Sequence, residues 1–328
     1  MQTRIAPRLG RPVSVIGLGT WQLGADWGQV SEADATAVLE ASIESGVTMF
    51  DTADVYGDGR SEAIIGGFLA SRPDLDIFVA TKMGRRVEQN IEFYTAENFR
   101  AWTDRSRTKL RMDTLDLVQL HCPPSTVIES DRVFDDLDAL VADGTIARYG
   151  VSVETTAQAL TAIARPGVSS VQIILNAFRL KPLDEVLPAA EAAGVAIIAR
   201  VPLASGLLSG RYSADTTFAA DDHRNYNRHG EAFDVGETFS GVDFEQGVAA
   251  AREFAEFADS QGLTAPVAAL AWVAQLPGVT TVIPGARTPA QARANAAAGA
   301  VHPLTPQFTE QVVDLYDRYF RAAVHSRW

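Results

Sequence analysis

One stretch shows the pattern that decides the fold: Val47-Thr48-Met49-Phe50 is a short apolar run, and Asp51-Thr52-Ala53-Asp54-Val55-Tyr56-Gly57 follows it. An apolar run of this length that ends in a turn is typical of a strand buried on both faces. A helix pattern precedes it, with Ser31 as a candidate N-cap and Gly46 as a candidate C-terminal glycine. The stretch therefore indicates a helix followed by a buried strand, with polar residues at the carboxyl end of that strand.

The same unit recurs along the whole chain. Seven further apolar runs predict strands, at residues 15–18, 77–80, 115–120, 147–151, 171–175, 195–198 and 279–283. Amphipathic segments predict helices between them, at residues 61–69, 96–110, 130–142, 156–164, 184–193, 246–261, 266–276 and 289–298. Eight strand–helix units without a long polar linker predict an α/β protein with one (β/α)8 TIM barrel domain over residues 1–328.

Two additions to the barrel are also predicted. A hairpin around Gly10 is expected to plug the bottom of the barrel, and residues 306–321 are expected to form an extra C-terminal helix. The alternative fold is an open doubly wound sheet. Its dinucleotide fingerprint fails, because Gln22 stands where G-x-G-x-x-G needs its third glycine.

Composition places the chain among folded globular proteins. Of its 328 residues, 47% are hydrophobic and 21% are charged, and the formal net charge is −13. This acidity disfavours general binding to nucleic acid or to anionic membranes. The single cysteine, Cys122, excludes an intrachain disulfide and a cysteine-based zinc site, so no metal is expected. A cytoplasmic location is expected, because no apolar signal segment follows Met1.

An uncharged stretch at residues 262–286 is long enough to be considered as a membrane span. Three prolines and a glycine interrupt it, and Pro277-Gly278 indicates a turn. We therefore expect a short buried helix followed by a buried strand.

Ionisable residues end three consecutive predicted strands. Asp51 follows the second strand, Lys82 the third and His121 the fourth, and Tyr56 lies on the loop after Asp51. Active sites of (β/α)8 barrels lie at the carboxyl ends of the strands, so these side chains are expected to converge. Each alone has a structural interpretation, as a loop cap, a packed ring or a hydrogen-bonded imidazole. Their convergence favours a catalytic site.

These four residue types suit proton transfer from a phenol. A free tyrosine has a pKa of about 10, and the ammonium of Lys82 is expected to lower the pKa of Tyr56. Asp51 would balance the charge of Lys82, and His121 would orient a substrate oxygen. Because the chain has no redox group of its own, a redox step at a carbonyl or carbinol needs a hydride from a bound cofactor.

At this point the chain resembles the aldo-keto reductases, which are NAD(P)-dependent oxidoreductases built on a (β/α)8 barrel. The resemblance covers nearly the whole chain and rests on motifs in the family's order, at residues 17–21, 50–57, 81–82, 120–121, 150–152, 172–176, 202–210 and 283–285. It implies that Tyr56 gives a proton to a small-molecule carbonyl while hydride comes from C4 of the nicotinamide. Asp51, Lys82 and His121 complete the implied catalytic set.

The resemblance also implies a set of binding residues. Trp21, Tyr56 and His121 would contact the substrate. Ser152 and Gln172 would hold the carboxamide of the nicotinamide, and residues 203–207 would line the pyrophosphate. The implied cofactor contacts are Gly19, Thr20, Trp21, Asp51, Ser152, Gln172, Arg200, Pro202, Leu203, Ser205, Gly206, Leu207, Gly285, Arg287, Gln291 and Asn295.

The segment after the eighth strand bears on the choice of cofactor. Thr288 is a candidate N-cap and Pro289 a candidate first residue of a helix, whose N-terminus suits a phosphate. Arg287 beside it suits a 2′-phosphate, so NADPH is expected and NADH is the alternative. Gln291 and Asn295 lie on one face of this helix and are candidates for contact with adenine.

Two positions depart from the pattern of the family. Val153 stands where many members carry an asparagine, which puts one hydrogen bond to the carboxamide in doubt. Arg200 stands where many members carry an aromatic residue that stacks on the nicotinamide. A guanidinium can also stack on a ring, and we hypothesise that the charge of Arg200 favours the reduced cofactor.

The substrate and the direction of the reaction stay open at this level. An aldose or sugar dehydrogenase, and a cofactor-sensing subunit similar to the channel β-subunits, are the alternatives to a carbonyl reductase. The long polar segment at residues 212–243 is expected to be irregular, and its residues 221–228 would offer polar contacts to a hydroxylated substrate. The expected apolar wall of the pocket consists of Trp21, Trp27, Tyr56, Met83, His121 and Phe178.

Overall fold

A computed structural model describes residues 1–24 and 30–328. Within these ranges the strands are β1 Thr3–Ile5, β2 Pro12–Ser14, β3 Leu18–Gly19, β4 Met49–Asp51, β5 Phe78–Met83, β6 Leu117–His121, β7 Tyr149–Ser152, β8 Val168–Ile174, β9 Ala196–Arg200 and β10 Val279–Val282. The helices are α1 Glu32–Glu44, α2 Arg60–Ala70, α3 Ala96–Leu110, α4 Ser125–Ile128, α5 Asp131–Ala142, α6 Thr156–Ile163, α7 Val186–Ala193, α8 His223–Tyr226, α9 Phe244–Ser260, α10 Ala265–Gln275, α11 Pro289–Ala297, α12 Pro306–Tyr319 and α13 Arg321–Val324.

The eight strands β3 to β10 form a parallel barrel. Each strand is hydrogen-bonded to the next one along the chain. Two parallel bridges, between Ile16 and Val282 and between Gly19 and Gly285, join the last strand to the first. The predicted (β/α)8 barrel is therefore confirmed, and the open sheet is wrong.

The N-terminal hairpin covers the bottom of the barrel, as predicted. Strands β1 and β2 pair antiparallel, and Leu9 and Val13 join one buried apolar cluster with side chains from inside the barrel, among them Phe78 and Leu117. The backbone N–H of Arg8 donates to the carbonyl of Gly194 at 2.9 Å, just before β9. The barrel interior is therefore packed with apolar side chains at this end, and the opposite end of the strands is left for the predicted site.

The connection between β9 and β10 carries more structure than the sequence indicates. The predicted irregular segment 212–243 contains α8 and two 3-10 turns, Val235–Glu237 and Phe239–Gly241. Its rings pack on each other, with Phe218 5.8 Å from Phe239 and 5.9 Å from Phe244 between ring centroids. The guanidinium of Arg224 lies 4.6 Å over the ring of Phe218. Aromatic side chains spread through a polar segment therefore give this connection a small core of its own.

The uncharged stretch at residues 262–286 forms α10 and β10, as expected. The helix has 11 residues, whereas a span of the hydrocarbon core needs about 20. In the described part of the chain, no helix combines the length and apolarity needed to cross a membrane. The predicted C-terminal helix is also present, but Phe320 divides it into α12 and α13.

Two adjacent glycines in α2 give a matched test of the contact between α2 and α3. A Cβ on Gly66 would collide with the backbone of Lys109 and Leu110, whereas a Cβ on Gly67 would meet nothing within 4 Å. We expect Gly66→Ala to lower the free energy of unfolding by about 1–3 kcal/mol, because the helices must move apart. Gly67→Ala should raise it by up to about 1 kcal/mol through helix propensity. Denaturant unfolding measures both, and equal effects would contradict the close approach.

Candidate active site

The strand ends meet at one rim of the barrel. Gly19 pairs with Asp51 across β3 and β4. His121 pairs with Ser152 across β6 and β7, and Ser152 pairs with Gln172 across β7 and β8. The registers therefore place the predicted catalytic and carboxamide-binding residues in neighbouring positions around the same mouth.

A buried ion pair forms the base of the site. Lys82 Nζ lies 2.5 Å from Asp51 Oδ1, and both side chains are almost fully buried. Lys82 also donates to the carbonyl of Thr52 at 2.9 Å. The other oxygen of Asp51 accepts from Gln172 Nε2 at 2.7 Å and from Gln119 Nε2 at 3.4 Å. Burial alone would lower the pKa of Lys82, but Asp51 and Tyr56 raise it, so the ammonium stays charged.

Tyr56 lies above this ion pair. Lys82 Nζ is 5.3 Å from the centroid of the Tyr56 ring, and the charge of Lys82 acts on the pKa of the phenol. The net pKa shift of Tyr56 is upward, because burial outweighs the opposing effect of Lys82. The expected lowering of this pKa is therefore wrong in sign. The phenol is held in its protonated form, as a proton donor requires.

His121 and Trp21 bound the space around the Tyr56 ring. The His121 ring is edge-on to Tyr56 with 6.0 Å between centroids, and Trp21 stacks on Tyr56 at 5.9 Å. Burial and the charges of Arg85 and Lys82 hold the pKa of His121 well below its usual value. The imidazole is therefore neutral.

A cavity of about 470 Å³ opens above these residues. The described residues that line it are Trp21, Val55, Tyr56, Arg85, His121, Asp221, Tyr226, Phe233 and Glu237. Two of them, Asp221 and Tyr226, come from the polar stretch 221–228, as expected. Two residues of the expected wall are absent from this lining: Met83 is fully buried, and Phe178 packs on Phe320 with 4.7 Å between centroids. Trp27 lies outside the described residues.

A second charged network lies beside the pocket, and sequence reasoning missed most of it. Arg85 Nη1 lies 3.0 Å from Glu237 Oε1, and Arg200 Nη2 lies 2.9 Å from Glu154 Oε2. Arg200 Nη1 is 3.8 Å from Glu237, which links the two pairs. Burial would raise the pKa of Glu237, but Arg85 and Arg200 outweigh it and lower that pKa. Arg85 follows β5 closely enough to be a candidate from sequence, whereas nothing in the long connection marks Glu237.

This network changes the interpretation of Arg200. Its guanidinium also contacts the carbonyl of Val153 at 3.2 Å and Cys122 Sγ at 3.6 Å. Glu154 and Glu237 together face the two arginines of this network, so the charge of Arg200 is paired and the hypothesised bias toward the reduced cofactor loses its electrostatic basis. Cys122, Glu154 and Glu237 bring their ligand atoms within 4.8 Å of one another, but the guanidinium contacts all three and takes the position a metal ion would need.

The residues expected to bind the nicotinamide end are close to Asp51 and His121. Thr20 is buried and donates from Oγ1 to the carbonyl of Asp51 at 2.8 Å. Ser152 and Gln172 are also buried. Gln172 uses its amide nitrogen on Asp51, and its Oε1 has no partner among the described residues. This oxygen therefore has the chemistry to accept from a carboxamide.

The loop after β9 is tied to the long connection. Ser205 and Gly206 both have a positive φ, and Ser205 Oγ donates to the carbonyl of Glu237 and accepts from the N–H of Phe239, each at 3.0 Å. A Cβ on Gly206 would collide with Tyr212, so this position requires glycine. Of the other expected contacts in this loop, Pro202 and Leu207 are buried and Leu203 is half-buried.

The segment after β10 is shaped as the sequence predicts. Thr288 caps α11 and accepts from the N–H of Gln291 at 3.2 Å. Gln291 Oε1 accepts from the N–H of Arg287 at 2.8 Å, and Asn295 donates to the carbonyl of Gly285 at 3.1 Å. Arg287 is exposed, and the first turn of α11 carries no acidic residue. Arg287 forms no ion pair with the residues that the structure describes, and an arginine beside a positive helix end suits a phosphate group.

Comparison with known proteins gives the family of the chain. The model of the aldo/keto reductase family matches residues 15–317. An uncharacterized oxidoreductase of Mycobacterium tuberculosis is 31% identical over 329 residues, which cover 96% of this chain and 93% of the relative. The structure of a glycerol dehydrogenase from Gluconobacter oxydans is 30% identical with a TM-score of 0.78, covering 97% of this chain and 95% of that one. An aldo/keto reductase from Klebsiella pneumoniae, in complex with NADP and acetate, is 25% identical with a TM-score of 0.69, covering 93% and 92%.

The fold and the residues at its mouth place the chain among the oxidoreductases built on a (β/α)8 barrel. Because the family model spans most of its length, the chain belongs to the aldo/keto reductase family. The resemblance seen in the sequence is confirmed.

Asp54, three residues after Asp51, gives the site loop a pH-dependent stability. Its carboxyl oxygens are buried, and no side chain within the described residues donates a hydrogen bond to them. Burial and Glu62 raise the pKa of Asp54 to about 7. Because the folded state holds this proton more tightly than the unfolded state, stability is lost as pH rises from about 4 to about 7. At pH 8 we expect Asp54→Asn to raise the free energy of unfolding by up to about 4 kcal/mol, and at pH 4 to change it little.

Denaturant unfolding at both pH values measures this difference. Asp58→Asn is the matched control on the same loop, because Asp58 is exposed and Arg86 lowers its pKa. The control should gain no stability at pH 8. An Asp54→Asn gain that is equal at both pH values would contradict the assignment.

Proposed function

We propose that this protein is an NADPH-dependent carbonyl reductase that converts an aldehyde or ketone to an alcohol, with Tyr56 as the proton donor. The observation that carries the proposal is the protonated phenol of Tyr56 beside the buried ammonium of Lys82, at one wall of a cavity large enough for a small substrate. Reduction needs an acid at the carbonyl oxygen, and Tyr56 carries its proton at neutral pH while Lys82 would stabilise the phenolate that its transfer leaves.

The residues around Tyr56 have separate roles in proton transfer. When Tyr56 gives up its proton, the ammonium of Lys82 stabilises the phenolate that forms. Asp51 holds that ammonium in place through the 2.5 Å ion pair. Trp21 and His121 limit where the carbonyl lies, because their rings enclose the phenol. Proton donation is thus confined to one position in the cavity.

The cofactor would supply hydride from its reduced nicotinamide when bound. Ser152 and the Oε1 of Gln172 would hold the carboxamide. Arg287 and the N-terminus of α11 would hold the 2′-phosphate. The first turn of α11 contains no acidic residue that would repel this phosphate. The similarity to a Klebsiella pneumoniae structure in complex with NADP supports this choice.

The reverse reaction uses the same groups, and the similarity to a glycerol dehydrogenase favours considering it. Alcohol oxidation needs Tyr56 as a phenolate base. The raised pKa of Tyr56 disfavours that form at neutral pH. Reduction also takes up one proton from solution overall, so we propose reduction as the reaction at neutral pH and expect oxidation to gain as the pH becomes alkaline.

Replacement of Tyr56 tests the proposal. We expect the parent to oxidise NADPH with small aldehydes, and Tyr56→Phe to lower kcat by about 10²–10⁴-fold because the proton donor is lost. The Kd for NADPH, from fluorescence titration, should stay within about threefold, since binding groups are unchanged. In the parent, kcat/KM for reduction should be flat through neutral pH and fall only above about pH 10.

Tyr149→Phe is the matched control, because its hydroxyl bonds Asp138 and lies at the start of β7, away from the mouth. The control should keep parental turnover. A Tyr56→Phe variant that retains activity within about threefold of the parent would overturn the assigned proton donor.

A further inference from the structure

Trp328 is a buried aromatic residue that the proposed chemistry leaves without a role. It is 5% exposed and follows α13 on the outside of the barrel. It is not among the described residues that line the cavity. Its indole nevertheless packs against two segments that carry the charged network beside the pocket, and these contacts indicate a function at a distance from the substrate.

One face of the indole is covered by a buried arginine. The guanidinium carbon of Arg179 lies 3.9 Å from the centroid of the Trp328 ring. Within residues 1–24 and 30–328, Nε and Nη1 of Arg179 have no hydrogen-bond acceptor, so the ring stabilises this part of the cation. Nη2 of Arg179 donates to the carbonyl of Glu154 at 2.6 Å. Through Arg179, Trp328 thus holds the backbone of one glutamate of the network.

The second segment consists of the two 3-10 turns within residues 235–241. A Cβ on Gly241 would collide with the indole, and a Cβ on Gly236 would lie 3.1 Å from it. Arg327, next to Trp328, also donates to the carbonyl of Gly241 at 3.4 Å. Gly236 directly precedes Glu237, so the indole packs against the backbone that carries the second glutamate.

The two glutamates require such support because their charges repel each other. Their ligand oxygens lie within 4.8 Å of one another. Burial and Glu237 raise the pKa of Glu154, and Arg200 opposes them. Arg200 attracts both carboxylates, at 2.9 Å and 3.8 Å, but it does not fix the two backbones. Trp328 contacts both, one directly and the other through Arg179.

We propose that Trp328 is a positioning residue of the active site, which holds Glu154 and Glu237 in the charged network beside the pocket. The effect reaches the pocket through Arg85, which lines the cavity, pairs with Glu237 at 3.0 Å and contacts His121 at 3.5 Å. Without the indole, Glu237 gains freedom and Arg85 loses its fixed position beside the imidazole. The inference rests on the proposed function only for its effect on turnover.

Hydrogen exchange tests the hold on the turns without cofactor or turnover. Trp328→Ala should speed exchange of the amides of residues 236–241 by about tenfold or more, because local opening no longer breaks the contacts of the indole. Trp328→Phe keeps a ring beneath Arg179 and should change these rates by less than about threefold. Trp272→Ala is the matched control, because this buried indole lies on α10 and donates to Thr309. It should leave the same amides at the parental rate.

Gly236→Ala disturbs the same contact from the side of the turns. Its Cβ would collide with Arg179 and crowd the indole, so it should also speed exchange at residues 236–241, and it keeps the test valid where Trp328→Ala does not fold. Unchanged exchange in Trp328→Ala, or in Gly236→Ala where the first variant does not fold, would overturn the proposal. Equal acceleration in Trp272→Ala would do the same.

A double-mutant cycle on turnover tests whether the effect reaches the pocket. NADPH-dependent reduction of propanal is measured for the parent, Trp328→Ala, Glu237→Gln and the double variant. Trp328→Ala should lower kcat/KM by about 5–50-fold, and its addition to Glu237→Gln should cost less than about twofold more, because both changes act on one carboxylate. Losses that multiply, as expected for Trp272→Ala with Glu237→Gln, would overturn the positioning role.

The two experiments separate this inference from the proposed function. A parent that reduces no aldehyde, with either NADPH or NADH, refutes the proposed function. Hydrogen exchange then decides on Trp328 alone, because it reports the hold on residues 236–241 in the protein without substrate.

Discussion

The ion pair between Lys82 and Asp51 is the interaction on which the rest of the site depends. It lies at the floor of the barrel mouth, where neither charge is exposed to water. A single buried charge there would be costly, so each partner requires the other. Two glutamine amides satisfy the remaining oxygen of Asp51. The fixed ammonium then lies beneath the phenol of Tyr56, where it can stabilise the phenolate during proton transfer.

A second buried network ties the long connection between β9 and β10 to this mouth. Glu237 comes from that connection and binds Arg85 from the barrel wall. The same turn of chain accepts a hydrogen bond from Ser205 on the loop after β9. One short turn therefore contacts the pocket wall and the expected cofactor-binding loop. The connection that closes the pocket is held by charge pairing as well as by its own aromatic core.

The sequence was sufficient to predict the barrel and the convergence of four ionisable side chains at its mouth, because strand ends are marked by apolar runs and parallel strands bring their ends together. It was not sufficient for Glu237, which reaches Arg85 across more than 150 residues without a local signal. The predicted shift in the pKa of Tyr56 had the wrong sign, because the sequence indicates that Lys82 is near but does not show how deeply the phenol is buried. The expected place of Phe178 in the pocket wall was also wrong. The sequence does not show whether an apolar residue near a strand end faces the pocket or the surrounding helices.

A double-mutant cycle on the ion pair tests the central claim most directly. The free energy of unfolding is measured at pH 7 for the parent, Lys82→Met, Asp51→Asn and the double variant. We predict that Lys82→Met costs about 3–5 kcal/mol, because Asp51 is left buried without its cation. The double variant should be more stable than the sum of the single losses implies, by at least about 2 kcal/mol. Additive losses would show that the two charges do not depend on each other and would contradict this account.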